Sequence, residues 1–192
     1  MTGYVALTFD DGPDPAGTAA LLAALRAGGA RATLFAIGRN ARSHPRLLRR
    51  ARNAGMWIGN HSWSHPDLTR LTPARTRAEL RRTQAVLGRL NGTAPRLFRP
   101  PYGETGDAVR SIAAGLGLTE VLWDVDSRDW AGADADEIVA AAERLTDGQV
   151  ILMHERYPAT IAAVPRILAA LRTRNLRPGR IDEATGRAVA GE

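Results

Sequence analysis

Short apolar runs alternate along this chain with longer stretches in which apolar positions recur every three or four residues. The short runs read as buried strands and the longer ones as amphipathic helices. Strands are expected at Tyr4–Phe9, Ala32–Ile37, Met56–Gly59, Arg96–Phe98, Glu120–Val125 and Val150–Met153. Helices are expected near Ala16–Ala27, Pro45–Ala54, Pro73–Leu90, Asp107–Ala114, Ala135–Arg144 and Ile161–Arg174. Gly28-Gly29 and Gly55 end the first two helices, and Thr72 followed by Pro73 supplies a cap and a preset first turn for the third. The tail beyond Arg177 has room for one short strand. Repeated β-α units with short connections predict a parallel sheet wrapped by helices, and no linker or repeat divides residues 1–192, so one domain is expected.

Polar clusters fall where the strands end. Thr8-Phe9-Asp10-Asp11-Gly12-Pro13 closes the first, His61-Ser62-Trp63-Ser64-His65 the third and Arg99-Pro100-Pro101-Tyr102 the fourth. Asp126-Ser127-Arg128-Asp129-Trp130 closes the fifth, and Val150–Met153 runs into His154. The C-terminal rim of a parallel barrel is where loops from several strands assemble a site. Two adjacent carboxylates at such a rim repel each other, and a cation beside them removes the conflict. One can bind that cation while the other faces what the cation activates. His61 and His65, four residues apart, can reach the same ion, and two His with one Asp leave an open position of the catalytic kind. Arg99 can pair with the carboxylate that binds no metal and hold it ionised as a base. Asp129 can take a ring N–H of His154 and keep that imidazole cationic as an acid. Trp130 and Leu152 can form a small apolar wall. His44, at a helix start before Pro45, lies outside this pattern.

Composition narrows the chemistry. The chain has no Cys and no Lys, so thiol nucleophiles, Schiff bases and a phosphate-loop lysine are excluded. No serine sits in a Gly-x-Ser-x-Gly elbow. A net charge of +6 raises the question of a nucleic-acid partner. The arginines lie along predicted helices with no interleaved aromatic platform, so they read as solvated faces and no nucleic acid is expected. No apolar run is long enough to span a membrane. Met1-Thr2-Gly3 enters the first strand without a leader-like segment, which fits a mature secreted or wall-associated domain and also a cytoplasmic chain.

Taken together, the five motifs resemble those of carbohydrate esterase family 4, the polysaccharide deacetylases that share the NodB homology domain. The likeness spans nearly the whole chain and is nearest, in Leu97–Thr105, Leu118–Trp130 and Gly148–His154, to actinobacterial acetylxylan esterases and compact chitin deacetylases. The resemblance implies a distorted, incomplete (β/α) barrel acting as a monomer on an acetylated polysaccharide or oligosaccharide. It implies one divalent metal, Zn²⁺ with Co²⁺ able to substitute, held by Asp11, His61 and His65. By the same resemblance Asp10 is the general base, His154 the general acid, and Arg99 orients Asp10. The Tyr102 N–H helps hold the oxyanion, Asp129 tunes His154, Trp130 and Leu152 line the acetyl pocket, and Asp126 is structural. O-acetyl xylan is the expected substrate, with N-deacetylation of chitooligosaccharides, against a dedicated chitin or peptidoglycan deacetylase. One departure follows the motif histidine: Glu155-Arg156-Tyr157 stands where this subgroup often has Asp-Trp, in a loop that borders the acetyl site, where charge beside the sugar would favour a particular polymer.

Overall fold

A computed structural model describes residues 2–191; Met1, the first residue of the expected N-terminal entry, lies outside them. Its core is the run Gly3–Asp10 (β1), buried from Val5 to Asp10 on both faces as a central parallel strand requires. Around it lie β2 (Thr33–Ala36), β3 (Trp57–Asn60), β4 (Leu97–Phe98), β5 (Thr119–Glu120), β6 (Val125–Asp126), β7 (Val150–His154) and β8 (Leu176–Pro178). The order β5-β4-β3-β2-β1-β7-β6 is parallel throughout, and β8 pairs with the start of β1. The sheet curls into an incomplete barrel with helices outside. These are α1 (Thr18–Ala27), α2 (Gly38–Ser43), α3 (Pro45–Asn53), α4 (Pro73–Asn91), α5 (Asp107–Ala114), α6 (Ala135–Ala142) and α7 (Pro158–Thr173).

Local signals work as expected in several places. Thr72 accepts a hydrogen bond from the Arg75 N–H, Pro73 opens α4, and Gly92 closes it with φ +88°. Asp134 and Glu137 form a reciprocal capping box at α6.

Four elements differ from expectation. The strand predicted over Glu120–Val125 is two short strands, because the Val121 and Leu122 carbonyls accept from the buried Arg99 side chain instead of a neighbouring strand. Residues 121–124 thereby cross from the β4 edge to the β7 edge, where Asp124 exchanges hydrogen bonds with Val150. The six residues of α2 form a helix that its polar sequence, Gly-Arg-Asn-Ala-Arg-Ser, carries no apolar stripe to announce. Helix α7 starts three residues early, with Pro158 in its first turn. The tail holds β8 and also an antiparallel pair, β9 (Arg180–Ile181) and β10 (Ala188–Val189), rather than one strand.

Candidate active site

Five loops leave the C-terminal ends of the strands and meet around a cavity of about 390 Å³. Asp10, Asp11, His61, His65 and His154 share it with a wall of Tyr102, Trp123, Trp130, Leu152 and Tyr157. The register explains the convergence: β1 pairs Asp10 with His154 on β7, and β3 delivers His61 one residue beyond its end. Backbone strain gathers here as well. Six described non-glycine residues have positive φ, and five of them (Asp11, Ser62, His65, Tyr102 and Arg128) lie in these loops. Asp11 at φ +73° turns out of the strand, which lets neighbouring carboxylates serve one cavity.

Each carboxylate has its own surroundings. Asp10 Oδ1 accepts from Arg99 at 2.9 Å, while its Oδ2 faces His61 Nε2 at 3.6 Å. Arg99 is fully buried, donates to Thr8, Val121 and Leu122, and stacks on Phe35 at 4.3 Å. Burial pulls the guanidinium pKa down and Asp10 opposes that; an Arg remains charged regardless. Asp11 Oδ1 is buried without a hydrogen-bond partner, 3.5 Å from His61 Nε2 and 3.3 Å from His65 Nε2. Burial works against ionisation of Asp11, but His61 and then the charges of His65 and His154 outweigh it and bring the pKa to about 2. His65 is shifted down, by burial first and by His61 next.

This cluster fits a cation. Donor atoms at about 2.1 Å from a tetrahedral ion stand about 3.4 Å apart, close to the 3.5 and 3.3 Å that separate Asp11 Oδ1 from the two imidazoles. The unpartnered oxygen on Asp11 supplies the anionic ligand. The His61 Nδ1–H donates to the Arg99 carbonyl at 2.7 Å, which fixes the tautomer that leaves Nε2 free to ligate.

The opposite side of the cavity is equally built. Asp129 accepts from His154 Nδ1 at 2.8 Å, the His154 backbone N–H at 2.7 Å, Thr160 Oγ1 at 2.7 Å and the Trp130 N–H at 2.8 Å. Burial opposes both charges, yet the pair holds Asp129 below the usual carboxylate range and His154 above the usual imidazole range. Trp130 is about half exposed, and its indole N–H donates to the Asp126 carboxylate at 3.2 Å. Across the cavity the exposed Tyr102 ring lies edge-on to His65, with centroids 4.6 Å apart. The Tyr102 N–H finds no acceptor among the described residues.

Sequence reasoning overlooked the residues that hold these loops. Glu79 on α4 accepts from the Trp63 and Ser64 N–H groups and the Ser64 hydroxyl. Asn40 on α2 donates to the Asp11 carbonyl, and Thr160 reaches Asp129. Only Glu79 carried a signal, as a lone carboxylate among the arginines of α4. The segment Glu155-Arg156-Tyr157 divides between core and rim, and its carboxylate does not reach the cavity. Glu155 is buried away from the cavity, hydrogen-bonded to Thr18 and so close to Gly12 that a Cβ on that glycine would overlap its carboxylate. Burial, with Asp14 and Asp11 adding to it against the Thr18 hydrogen bond, pushes its pKa up to about 8. Arg156 is exposed with its guanidinium 5.8 Å from the ring of Tyr157, and Tyr157 faces the cavity, 5.8 Å from the His154 ring.

A curled parallel sheet with a carboxylate-imidazole cation site beside a separate acid-base pair defines a hydrolase-like α/β protein. The chain belongs to the polysaccharide deacetylase family, carbohydrate esterase family 4: the family profile matches residues 2–121, and the relatives extend the likeness to nearly the whole chain. It is 44% identical over 191 residues to a bifunctional xylanase/xylan deacetylase of Cellvibrio japonicus, covering 98% of this chain and 29% of that one. It is 37% identical to a peptidoglycan-N-acetylglucosamine deacetylase of Bacillus cereus, covering 90% of this chain and 65% of that protein. The chain thus spans less than two thirds of either curated relative. Among solved structures it matches a family 4 carbohydrate esterase from Streptomyces lividans in complex with acetate, with TM-score 0.97 and 52% identity over 99% of this chain and 98% of that one.

Proposed function

We propose that this chain, as a single monomeric domain over residues 1–192, is a metal-dependent deacetylase of acetylated polysaccharides. The carrying observation is the convergence of Asp11, His61 and His65 on one point, with Asp10 and His154 beside it. A divalent cation held by those three, Zn²⁺ by preference and Co²⁺ as a substitute, would supply Lewis-acid polarisation of the acyl carbonyl and acidify the attacking water.

The chain's own residues do the rest. Asp10 Oδ2, free of the Arg99 interaction, takes a proton from the attacking water. Arg99 keeps that carboxylate ionised and still. The Tyr102 N–H donates to the oxyanion of the tetrahedral intermediate, and one such preorganised donor is worth about 3 kcal/mol. His154 then gives its ring proton to the departing sugar oxygen or nitrogen, stabilised as a cation by Asp129 until it does so. Trp130 and Leu152 take the acetyl methyl. Asp126 positions the indole and stays out of the chemistry.

O-acetyl xylan is the expected main substrate, with N-deacetylation of chitooligosaccharides alongside. The open rim between Tyr102 and Trp130 supports tolerance of the sugar, and both leaving groups need the same proton. Two of the relatives named above are a xylan deacetylase and a peptidoglycan deacetylase, which supports a secreted or wall-associated setting. Acetate release from acetylated xylan, chitooligosaccharides and peptidoglycan, measured side by side with added Zn²⁺ or Co²⁺, tests the reading. Activity on peptidoglycan alone would replace the xylan assignment, and no release from any of the three would end the deacetylase reading.

A further inference from the structure

The positive charge of this chain is not spread evenly. Residues 38–91 contain twelve arginines against two carboxylates, Asp67 and Glu79. The other residues hold 14 arginines and 18 carboxylates, so the rest of the molecule is net negative. The basic segment is α2, β3, α3 and α4, and the three helices pack on one another as one outer layer. Its arginines are exposed, as at Arg46, Arg49, Arg50 and Arg81. Among the described residues none of the twelve forms an ion pair. Arg42 from α2 and Arg82 from α4 stack on the same Trp63 ring, at 5.1 and 3.7 Å, so like charges are held together where the helices meet. Arg46, Arg49 and Arg50 repeat at helical spacing, an arrangement that repels itself. A layer with this much uncompensated charge is stabilised by an anionic partner.

We propose that the α2–α3–α4 layer is a docking surface for a polysaccharide that carries carboxylate groups along its chain. Guanidinium forks match carboxylates in geometry as well as charge. The layer reaches the rim of the cavity: exposed Arg39 lies in the first turn of α2, and its neighbour Asn40 donates to the Asp11 carbonyl at 2.8 Å. A polymer lying across the layer is therefore led to the cation end of the site. Nucleic acid fits less well, because the exposed large apolar side chains, Tyr102, Leu122 and Trp130, are all off this layer and leave bases nothing to stack on. The remainder of the molecule has no comparable excess of positive charge, so an incoming polyanion is drawn to this face.

The identification of the polymer as a polysaccharide rests on the deacetylase reading; the surface itself does not. The test is affinity electrophoresis in gels containing glucuronate-bearing xylan, the same xylan stripped of its glucuronate, or duplex DNA. The wild type is run against the triple variants Arg46→Gln/Arg49→Gln/Arg50→Gln and Arg46→Lys/Arg49→Lys/Arg50→Lys, with melting temperatures recorded for each. The wild type is expected to be retarded by the acidic xylan, less so at high salt, and little by the stripped form. The Gln variant should bind about fivefold more weakly, and the Lys variant should keep most of the affinity. Equal retardation by both xylans, no loss in a folded Gln variant, or tighter retention by DNA than by acidic xylan overturns the proposal. Retention of acidic xylan by a protein that releases no acetate would leave this surface standing and remove the deacetylase reading.

Discussion

Replacing Arg99 with Met removes the guanidinium that fills the barrel between β1 and residues 121–122. The wild-type side chain is fully buried, with hydrogen bonds to Thr8, Asp10, Val121 and Leu122. Methionine keeps the apolar stem and the contact with Phe35 but leaves Asp10, itself buried, without its cation. Removing one partner of a buried pair costs about 3–5 kcal/mol, chiefly through the charge left behind. For a chain of this length that is a fall in melting temperature of about 6–20 °C. Asp10→Asn removes the stranded charge. The double variant should therefore recover part of the loss, with a coupling of at least about 1 kcal/mol in a double-mutant cycle. Urea unfolding of the four proteins in chelator at neutral pH measures it. Additivity within about 0.5 kcal/mol would refute the reasoning, and Arg99 would then be a filler of the barrel rather than the counter-ion of Asp10.

Asp129→Asn offers one oxygen where the carboxylate serves four donors, so stability should fall by about 1–3 kcal/mol. The same change removes what raises His154: its protonated form, present below the raised pKa and lost as pH rises through it, should be lost at lower pH, moving the alkaline limb of kcat downward. Glu155 binds its proton up to about pH 8 in the folded chain, against an ordinary value of 4.5. The folded state therefore holds more protons across that window and stability falls as pH rises through it; Glu155→Gln should remove this slope in melts taken from pH 5 to 8. Glu79→Gln weakens the clamp on Trp63 and Ser64 and should lower metal affinity about 10–100-fold in a competition titration, with Asp11, His61 and His65 all intact.

Much of this architecture was legible because a barrel of parallel strands repeats a simple pattern. Continuous apolar runs marked the strands, and each polar cluster marked an exit on the same rim, so Asp10, Asp11, His61, His65 and His154 fell together without any contact being known. What escaped depends on partners distant in sequence. The Val121 and Leu122 carbonyls turn toward Arg99, 22 and 23 residues earlier, and that broke a strand no local signal could break. Asn40 and Glu79 act on backbone groups elsewhere in the chain and Thr160 on the distant Asp129 carboxylate, which leaves no trace in residue periodicity. Glu155 was misplaced because a charged residue next to a site residue reads as exposed. Its burial follows from the glycine at position 12, which leaves room for a carboxyl group. The arginines looked like ordinary solvated faces along each helix, and only the packing of α2, α3 and α4 joins them into one layer.

The central claim is that adjacent carboxylates at the end of β1 divide the work, Asp11 holding a cation and Asp10 moving the proton. Metal content and acetate release from acetylated xylan, determined on the same Zn²⁺-loaded preparations of wild type, Asp10→Asn and Asp11→Asn, test it directly. The account predicts a wild type with one equivalent of metal that releases acetate, an Asp10→Asn protein that keeps the metal and releases none, and an Asp11→Asn protein that loses both. Metal lost from Asp10→Asn and kept by Asp11→Asn, or acetate release undiminished in Asp10→Asn, would contradict it.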